Sequence, residues 1–140
     1  MEVLSRSAKD TQELAGTVAK RLIKGDVLAL YGELGSGKTT FVRCLVKALG
    51  LDSRVQSPTF VLHRRYRFVN HLDLYRIKNL SEARNLGIED ILRDKEYITI
   101  VEWPEFIEEL FSDLTIRIYF KHVSENERKI TIHNFNRHDR

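Results

Sequence analysis

The 140-residue sequence has little cysteine and no long apolar run. Cys44 is the only cysteine, so a disulfide within the chain is excluded. Neither a C-x-x-C pair nor a His/Cys cluster suggests zinc. No signal peptide is recognisable, and no apolar stretch approaches the roughly 18 residues of a membrane helix. These absences predict a cytoplasmic protein with no membrane association, whose Cys44 is an inert residue of the core.

Charge of one sign is not concentrated anywhere in the sequence. The net charge is +3 and the pI about 9.1, but the basic residues are dispersed, with Arg64, Arg65 and Arg67 as the densest group. Dispersed charge favours a solvated surface, while contact with RNA or an acidic protein stays open. The length fits one domain, residues 1–140, in which 136–140 are expected to form a frayed tail.

What the sequence does contain is the phosphate-binding pattern G-x-x-x-x-G-K-[ST], from Gly32 to Thr39. An apolar run at 27–31 precedes it and predicts a buried parallel strand, and apolar residues at helical spacing follow it. Backbone N–H groups of such a loop converge on phosphates, Lys38 neutralises their charge, and the Thr39 hydroxyl coordinates Mg²⁺. The pattern therefore predicts a nucleoside triphosphate site. Its expected residues are Glu33, Leu34, Gly35, Ser36, Gly37, Lys38, Thr39 and Thr40.

The order of the remaining patterns predicts an α/β P-loop NTPase domain with a mixed, mostly parallel sheet, flanking helices and antiparallel hairpin additions. A first helix is expected to begin at a Ser7 cap and to end at Gly25-Asp26. A hairpin is expected to turn near Val69-Asn70, and Ser81 is expected to cap a short helix. Further strands are expected at 2–6, 97–101, 114–120 and 129–135, and a helix at 104–110.

Two acidic residues follow predicted strands where open α/β sheets build their sites. Asp73 follows His71-Leu72 in the strand expected at 71–75, and Glu102 ends the apolar run at 97–101. A carboxylate there can hold Mg²⁺ directly or through water, and Glu102 can orient a water molecule. The alternative for both is a surface or helix-capping carboxylate. His71 is interpreted as structural.

The loop that contains Ser57, Pro58 and Thr59 lies between the P-loop helix and the next strand. Switch loops of nucleotide hydrolases occupy this position and present a hydroxyl to metal or γ-phosphate. A simple turn is an equal alternative. Trp103 can pack over a nucleotide or a partner, but a buried aromatic is the ordinary interpretation.

The segments GELGSGKTTFVR, SPTF, HLDLYR and IVEWPE, in this order and spacing, resemble the TsaE (YjeE) family over nearly the whole chain. The family consists of small bacterial P-loop ATPases needed to make threonylcarbamoyladenosine in tRNA. The resemblance implies ATP or ADP and Mg²⁺ as cofactors, Thr39, Asp73 and Glu102 as metal groups, and Lys38, Thr59, Asp73 and Glu102 as catalytic groups. It also implies a weak or partner-stimulated ATPase that acts on tRNA indirectly, through the TsaD–TsaB complex. The segment between SPTF and HLDLYR is short, which puts a contact through a long hairpin tip in doubt.

Other functions remain as alternatives. A small-molecule kinase would share the P-loop, but the region 76–96 carries Arg76, Arg84 and Arg93 without a glycine-flanked lid. A GTPase switch would need N-K-x-D and D-x-x-G segments, which the sequence lacks. A third alternative is a non-catalytic module that binds nucleotide only to support assembly. It differs from a weak ATPase only in its rate of hydrolysis.

Overall fold

The computed structural model describes residues 1–51 and 62–135, and a seven-stranded sheet runs through these residues. The strands are β1 (Glu2–Ser5), β2 (Val27–Tyr31), β3 (His63–Tyr66), β4 (Val69–Asp73), β5 (Ile98–Glu102), β6 (Ile116–Ser124) and β7 (Glu127–His133). The helices are α1 (Ala8–Ala19), α2 (Lys38–Ala48), α3 (Leu80–Asn85) and α4 (Ile88–Arg93), followed by a 3-10 segment at Glu105–Leu110. The predicted tail 136–140 lies outside the described residues.

The strand order is β1-β7-β6-β2-β5-β4-β3. The middle strands β6, β2, β5 and β4 are parallel, whereas β3 and the pair β7-β1 are antiparallel additions at the two edges. Residues 69–73 and 98–102 are buried along their whole length. Burial on both faces is why 98–101 reads as a continuous rather than an alternating apolar run, whereas β4 buries the polar side chains of Asn70, His71 and Asp73. The predicted fold class is confirmed.

The two faces of the sheet carry separate cores. Ile98 and Ile100 of β5 belong to the core that contains residues of α1, α2 and β2. Val101, the residue after Ile100, belongs to the core that contains residues of α3, α4 and the 3-10 segment. This division follows from the alternation of side chains along a strand. Because β2 and β5 are covered on both faces, their carboxyl ends are held rigidly at one edge of the sheet.

The hairpin of β3 and β4 turns earlier than the sequence predicted. The turn lies at Arg67 and Phe68, with Arg67 at φ 53, rather than at Val69-Asn70. Val69 is fully buried in the core, and the buried Asn70 side chain accepts a hydrogen bond from Arg65 Nε at 3.1 Å. Burial of Val69 and satisfaction of the Asn70 acceptor thus place both residues in the strand.

Two helix boundaries also differ from prediction. Helix α1 begins at the predicted Ser7 cap but ends at Ala19, well before Gly25, whose N–H donates instead to the Tyr97 carbonyl at 2.8 Å. The chain must leave the helix early to reach the sheet. Asn79, not Ser81, caps α3, because its side chain accepts from the Glu82 N–H at 2.8 Å.

In the described part of the chain, every helix is too short or too polar to span a lipid bilayer.

Candidate functional site

The glycine loop joins the end of β2 to the start of α2. A side-chain carbon at Gly32 would lie 2.8 Å from the Phe120 carbonyl oxygen, so only glycine lets the loop pass β6 at this point. Gly37 is the N-cap of α2 and has φ 104, a conformation that favours glycine. The loop therefore delivers Lys38 and Thr39 to the first turn of a helix whose free N–H groups suit an anion.

Lys38 is almost fully buried, with 5% of its surface exposed. Its Nζ donates a hydrogen bond to the Gly32 carbonyl and lies 3.5 Å from the centre of the Trp103 ring. Burial lowers the pKa of Lys38, while the charges of Glu102, Glu105 and Asp73 oppose that shift. The ammonium group is thus held inside the loop by one carbonyl and one aromatic face.

Glu102 lies at the carboxyl end of β5, and 2% of its surface is exposed. Its Oε2 is 2.5 Å from His71 Nε2, and its Oε1 accepts a hydrogen bond from Thr39 Oγ1 at 3.4 Å. Since a carboxylate only accepts, His71 Nε2 is the donor when Glu102 is ionised. The His71 and Thr39 contacts fix both carboxylate oxygens, which rules out the surface-carboxylate alternative for Glu102.

Asp73 pairs with Glu102 in the register of β4 and β5, so the two carboxylates end neighbouring parallel strands. Asp73 is 7% exposed and its Oδ1 accepts from the Tyr75 N–H at 3.0 Å. Both acids face the glycine loop. Across the described residues, no group of three or more His, Cys, Asp or Glu side chains is arranged to hold a metal ion unaided.

A cavity of about 330 Å³ opens between the glycine loop and the ends of β4 and β5. The structure brings most of the predicted residues to it: Leu34, Gly35, Gly37, Lys38, Thr39, Thr40, Asp73 and Glu102. Glu33 and Ser36 belong to the loop but do not line the cavity. Thr59, with the rest of the predicted switch segment, lies outside the described residues.

Trp103 follows Glu102 with φ 57, a left-handed conformation that is uncommon for a bulky residue. This backbone turns the indole back over Lys38 rather than away from the sheet. The ring also meets Tyr75 edge-on, with centroids 5.1 Å apart. Trp103 therefore lines the cavity and is not simply buried in the core.

Sequence reasoning missed several contributors to the site. His71 is fully buried against Glu102, and its Nδ1 has no hydrogen-bond partner among the residues described. Tyr75 and Arg76 line the cavity, as does Arg128 of β7. The position of Tyr75 and Arg76, two and three residues after Asp73, was a usable signal. Arg128, far along the chain, gave none.

A hydrogen-bonded cluster fixes the segment that follows Trp103. The Tyr31 hydroxyl donates to Glu108, and Arg117 donates to the Tyr31 oxygen at 3.3 Å and to Glu108 at 3.0 Å. Burial, together with the bond to Glu108, raises the pKa of Tyr31. The 3-10 segment is thereby tied to the strand that feeds the glycine loop.

The strand, glycine loop and helix, with acids at the ends of the adjoining parallel strands, place the chain among the P-loop α/β proteins. The crystal structure of Bacillus subtilis YdiB superimposes with a TM-score of 0.79 at 26% identity, covering 100% of this chain and 96% of that one. The likeness extends over the edge strands as well as the loop.

Comparison with families and curated proteins defines the chain more narrowly. The family model of threonylcarbamoyl adenosine biosynthesis protein TsaE matches residues 5–130. The tRNA threonylcarbamoyladenosine biosynthesis protein TsaE of Aquifex aeolicus is 38% identical over 138 residues, 94% of this chain and 95% of that protein. The protein of the same description from Treponema pallidum is 31% identical over 135 residues, 94% of this chain and 99% of its own length. The chain belongs to the TsaE family, as the sequence resemblance indicated.

Proposed function

We propose that this protein binds ATP with Mg²⁺ and hydrolyses it, and that hydrolysis supports threonylcarbamoyladenosine formation in tRNA through the TsaD–TsaB complex. The observation that carries the proposal is the convergence of Lys38, Thr39, Asp73 and Glu102 on one cavity beside the glycine loop. A charge for phosphates, oxygen ligands for a hard cation and a buried carboxylate are the groups that phosphoryl transfer to water needs.

Lys38 is the phosphate-binding cation. A phosphate oxygen would replace the Gly32 carbonyl as the acceptor of the Nζ hydrogen bond. Burial lowers the pKa of Lys38, and a phosphate dianion beside the group would oppose that shift by favouring the charged form. Loop N–H groups and the N-terminus of α2 supply the remaining anion contacts.

Thr39, Asp73 and Glu102 are the residues that would hold Mg²⁺. Their oxygen donors suit this ion, which usually takes only one or two carboxylates and fills its other positions with phosphate oxygens and water. The absence of a larger ligand cluster among the described residues therefore fits. When bound, Mg²⁺ neutralises charge on the transferred phosphoryl group.

Glu102 is the group that orients the attacking water. The hydrogen bond from His71 holds one carboxylate oxygen. The other oxygen accepts from Thr39 at 3.4 Å and has a further lone pair with which to accept from water. His71 is a positioning residue in this scheme, and Trp103 closes the cavity over Lys38.

The test is ATP turnover by the purified protein, alone and with TsaD–TsaB, followed by phosphate release. Lys38→Ala is compared with Lys47→Ala, an exposed lysine on the same helix. Stimulated phosphate release that is lost only in Lys38→Ala supports the proposal. Transfer to a small acceptor would instead identify a kinase, and tight ATP binding without turnover would identify a non-catalytic assembly module.

Docking on TsaD–TsaB is proposed for the β3–β4 hairpin together with Thr59. Arg65 is exposed, but its Nε donates to Asn70 and its guanidinium lies 4.3 Å from the Tyr97 ring centre. Arg67 is exposed at the turn, and reversal of its charge leaves the contacts of Arg65 intact. Arg67→Glu is expected to weaken a TsaD–TsaB pull-down without changing ATP affinity. An equal yield of complex with both forms, in ATP and in ADP, would contradict this docking surface.

A further inference from the structure

Arg128 lies on β7, two strands away from β2, and contacts the glycine loop that follows β2. A side-chain carbon built on Gly37 would lie 3.0 Å from Arg128 Cδ and 3.1 Å from its Cζ, so the arginine lies directly against the loop. Arg128 lines the same cavity as Lys38 and Thr39. The absence of a side chain at Gly37 is what allows a guanidinium to come this close to the start of α2.

A β-bulge in the strand pair β6–β7 lies next to Arg128. His122 pairs with Arg128, but Ser124 rather than Val123 pairs with Glu127, which makes Val123 the extra residue of a β-bulge. Bulges bend a strand and redirect its side chains, and they occur often beside functional sites. Arg128 therefore belongs to an irregular stretch of this hairpin.

The two residues that flank Arg128 in β7 form ion pairs with other side chains. Glu127 forms an ion pair with Arg6 at 3.5 Å, and Lys129 forms one with Glu2 at 3.0 Å. Within residues 1–51 and 62–135, the Arg128 guanidinium forms no ion pair or hydrogen bond. A half-buried cation left unpaired beside an anion-binding loop has its donors available for a ligand.

We propose that Arg128 binds the phosphate groups of the nucleotide, as a second cation supplied by the same chain. The inference rests on the proposed function, because it assigns a partner to the ligand of that cavity. A guanidinium is always charged at neutral pH, is weakly hydrated and presents paired donors that match phosphate oxygens. Lys38 provides one point charge at the loop, and Arg128 adds a directional contact from β7.

The test is calorimetric titration of the full chain with Mg·ATP and with magnesium tripolyphosphate, which keeps three linked phosphates but lacks base and ribose. Arg128→Gln and Arg128→Lys are compared with Lys121→Gln, which removes an equal charge from an exposed position on β6. Loss of a charge-assisted phosphate contact should weaken both ligands about tenfold in Arg128→Gln. Arg128→Lys should lose less, and Lys121→Gln should bind as wild type does.

Three results overturn the inference. Unchanged affinity in Arg128→Gln would show that the guanidinium does not touch the ligand. Weaker ATP binding with unchanged tripolyphosphate binding would place Arg128 on the base or ribose instead. An equal loss in Lys121→Gln would show a general charge effect. Wild-type protein that binds neither ligand would overturn the proposed function itself, which separates the two failures. Thermal unfolding of each variant checks that the fold is retained.

Discussion

Replacing Glu102 by Gln removes one charge from the site and keeps the shape of the side chain. The amide oxygen can still accept from His71 Nε2, so the buried histidine keeps its partner. What is lost is the anionic oxygen on the Thr39 side, which we assign to orienting water. The variant therefore separates the chemical role of Glu102 from its role in packing.

General-base catalysis typically contributes about 10²–10⁴ in rate. At about 1.36 kcal/mol for each factor of ten, Glu102→Gln should raise the barrier to hydrolysis by about 2.7–5.4 kcal/mol. The free energy of unfolding should fall by only about 1 kcal/mol, since one charge-assisted hydrogen bond becomes a neutral one. Nucleotide affinity should change much less than the rate, because the glycine loop and Lys38 supply most of the phosphate contacts and Asp73 and Thr39 remain to hold Mg²⁺.

The measurement is steady-state phosphate release with TsaD–TsaB present, alongside calorimetric ATP affinity and urea unfolding of the same preparation. Glu109→Gln, an exposed glutamate on the 3-10 segment, is the matched control. Hydrolysis by Glu102→Gln at the wild-type rate would refute the role of Glu102 as the water-orienting group. A parallel loss of ATP affinity would refute it equally, since binding rather than chemistry would then have been removed.

Three further predictions follow from single side chains. Lys38→Ala should abolish ATP binding in calorimetry without loss of helical circular dichroism, and near-normal affinity would contradict the P-loop assignment. ATP should change the fluorescence of Trp103, the only tryptophan in the sequence. The reason is that Lys38 Nζ, 3.5 Å from the centre of the indole ring, would move to a phosphate. An unchanged emission at saturating ATP would show that the amine stays beside the ring. Burial raises the pKa of the Cys44 thiol, so its thiolate fraction at neutral pH is small. A thiol reagent should therefore modify the native protein much more slowly than the urea-unfolded protein. Equal rates would mean that the fold does not protect Cys44.

Prediction from sequence succeeded where the interactions are local. The glycine pattern with flanking strand and helix, the Ser7 cap and the two acids at strand ends were all identifiable, because each depends on residues close together in the chain. The hairpin turn was misplaced by local reasoning because burial of Val69 and a hydrogen bond to Asn70 outweighed the turn preference of the pair. Thr59, outside the described residues, stays a prediction.

The sequence by itself determined that a strand leads into a loop with the phosphate-binding glycine pattern. It also indicated that Asp73 and Glu102 lie near the carboxyl ends of strands. Only the tertiary structure decided that Glu102 is held by His71, 31 positions away, and that Arg128 lies against Gly37. The physical reason is that strand order and register, which follow from packing two separate cores, set which distant side chains meet. A residue's type shows what chemistry it can perform, but the sheet determines where it performs it.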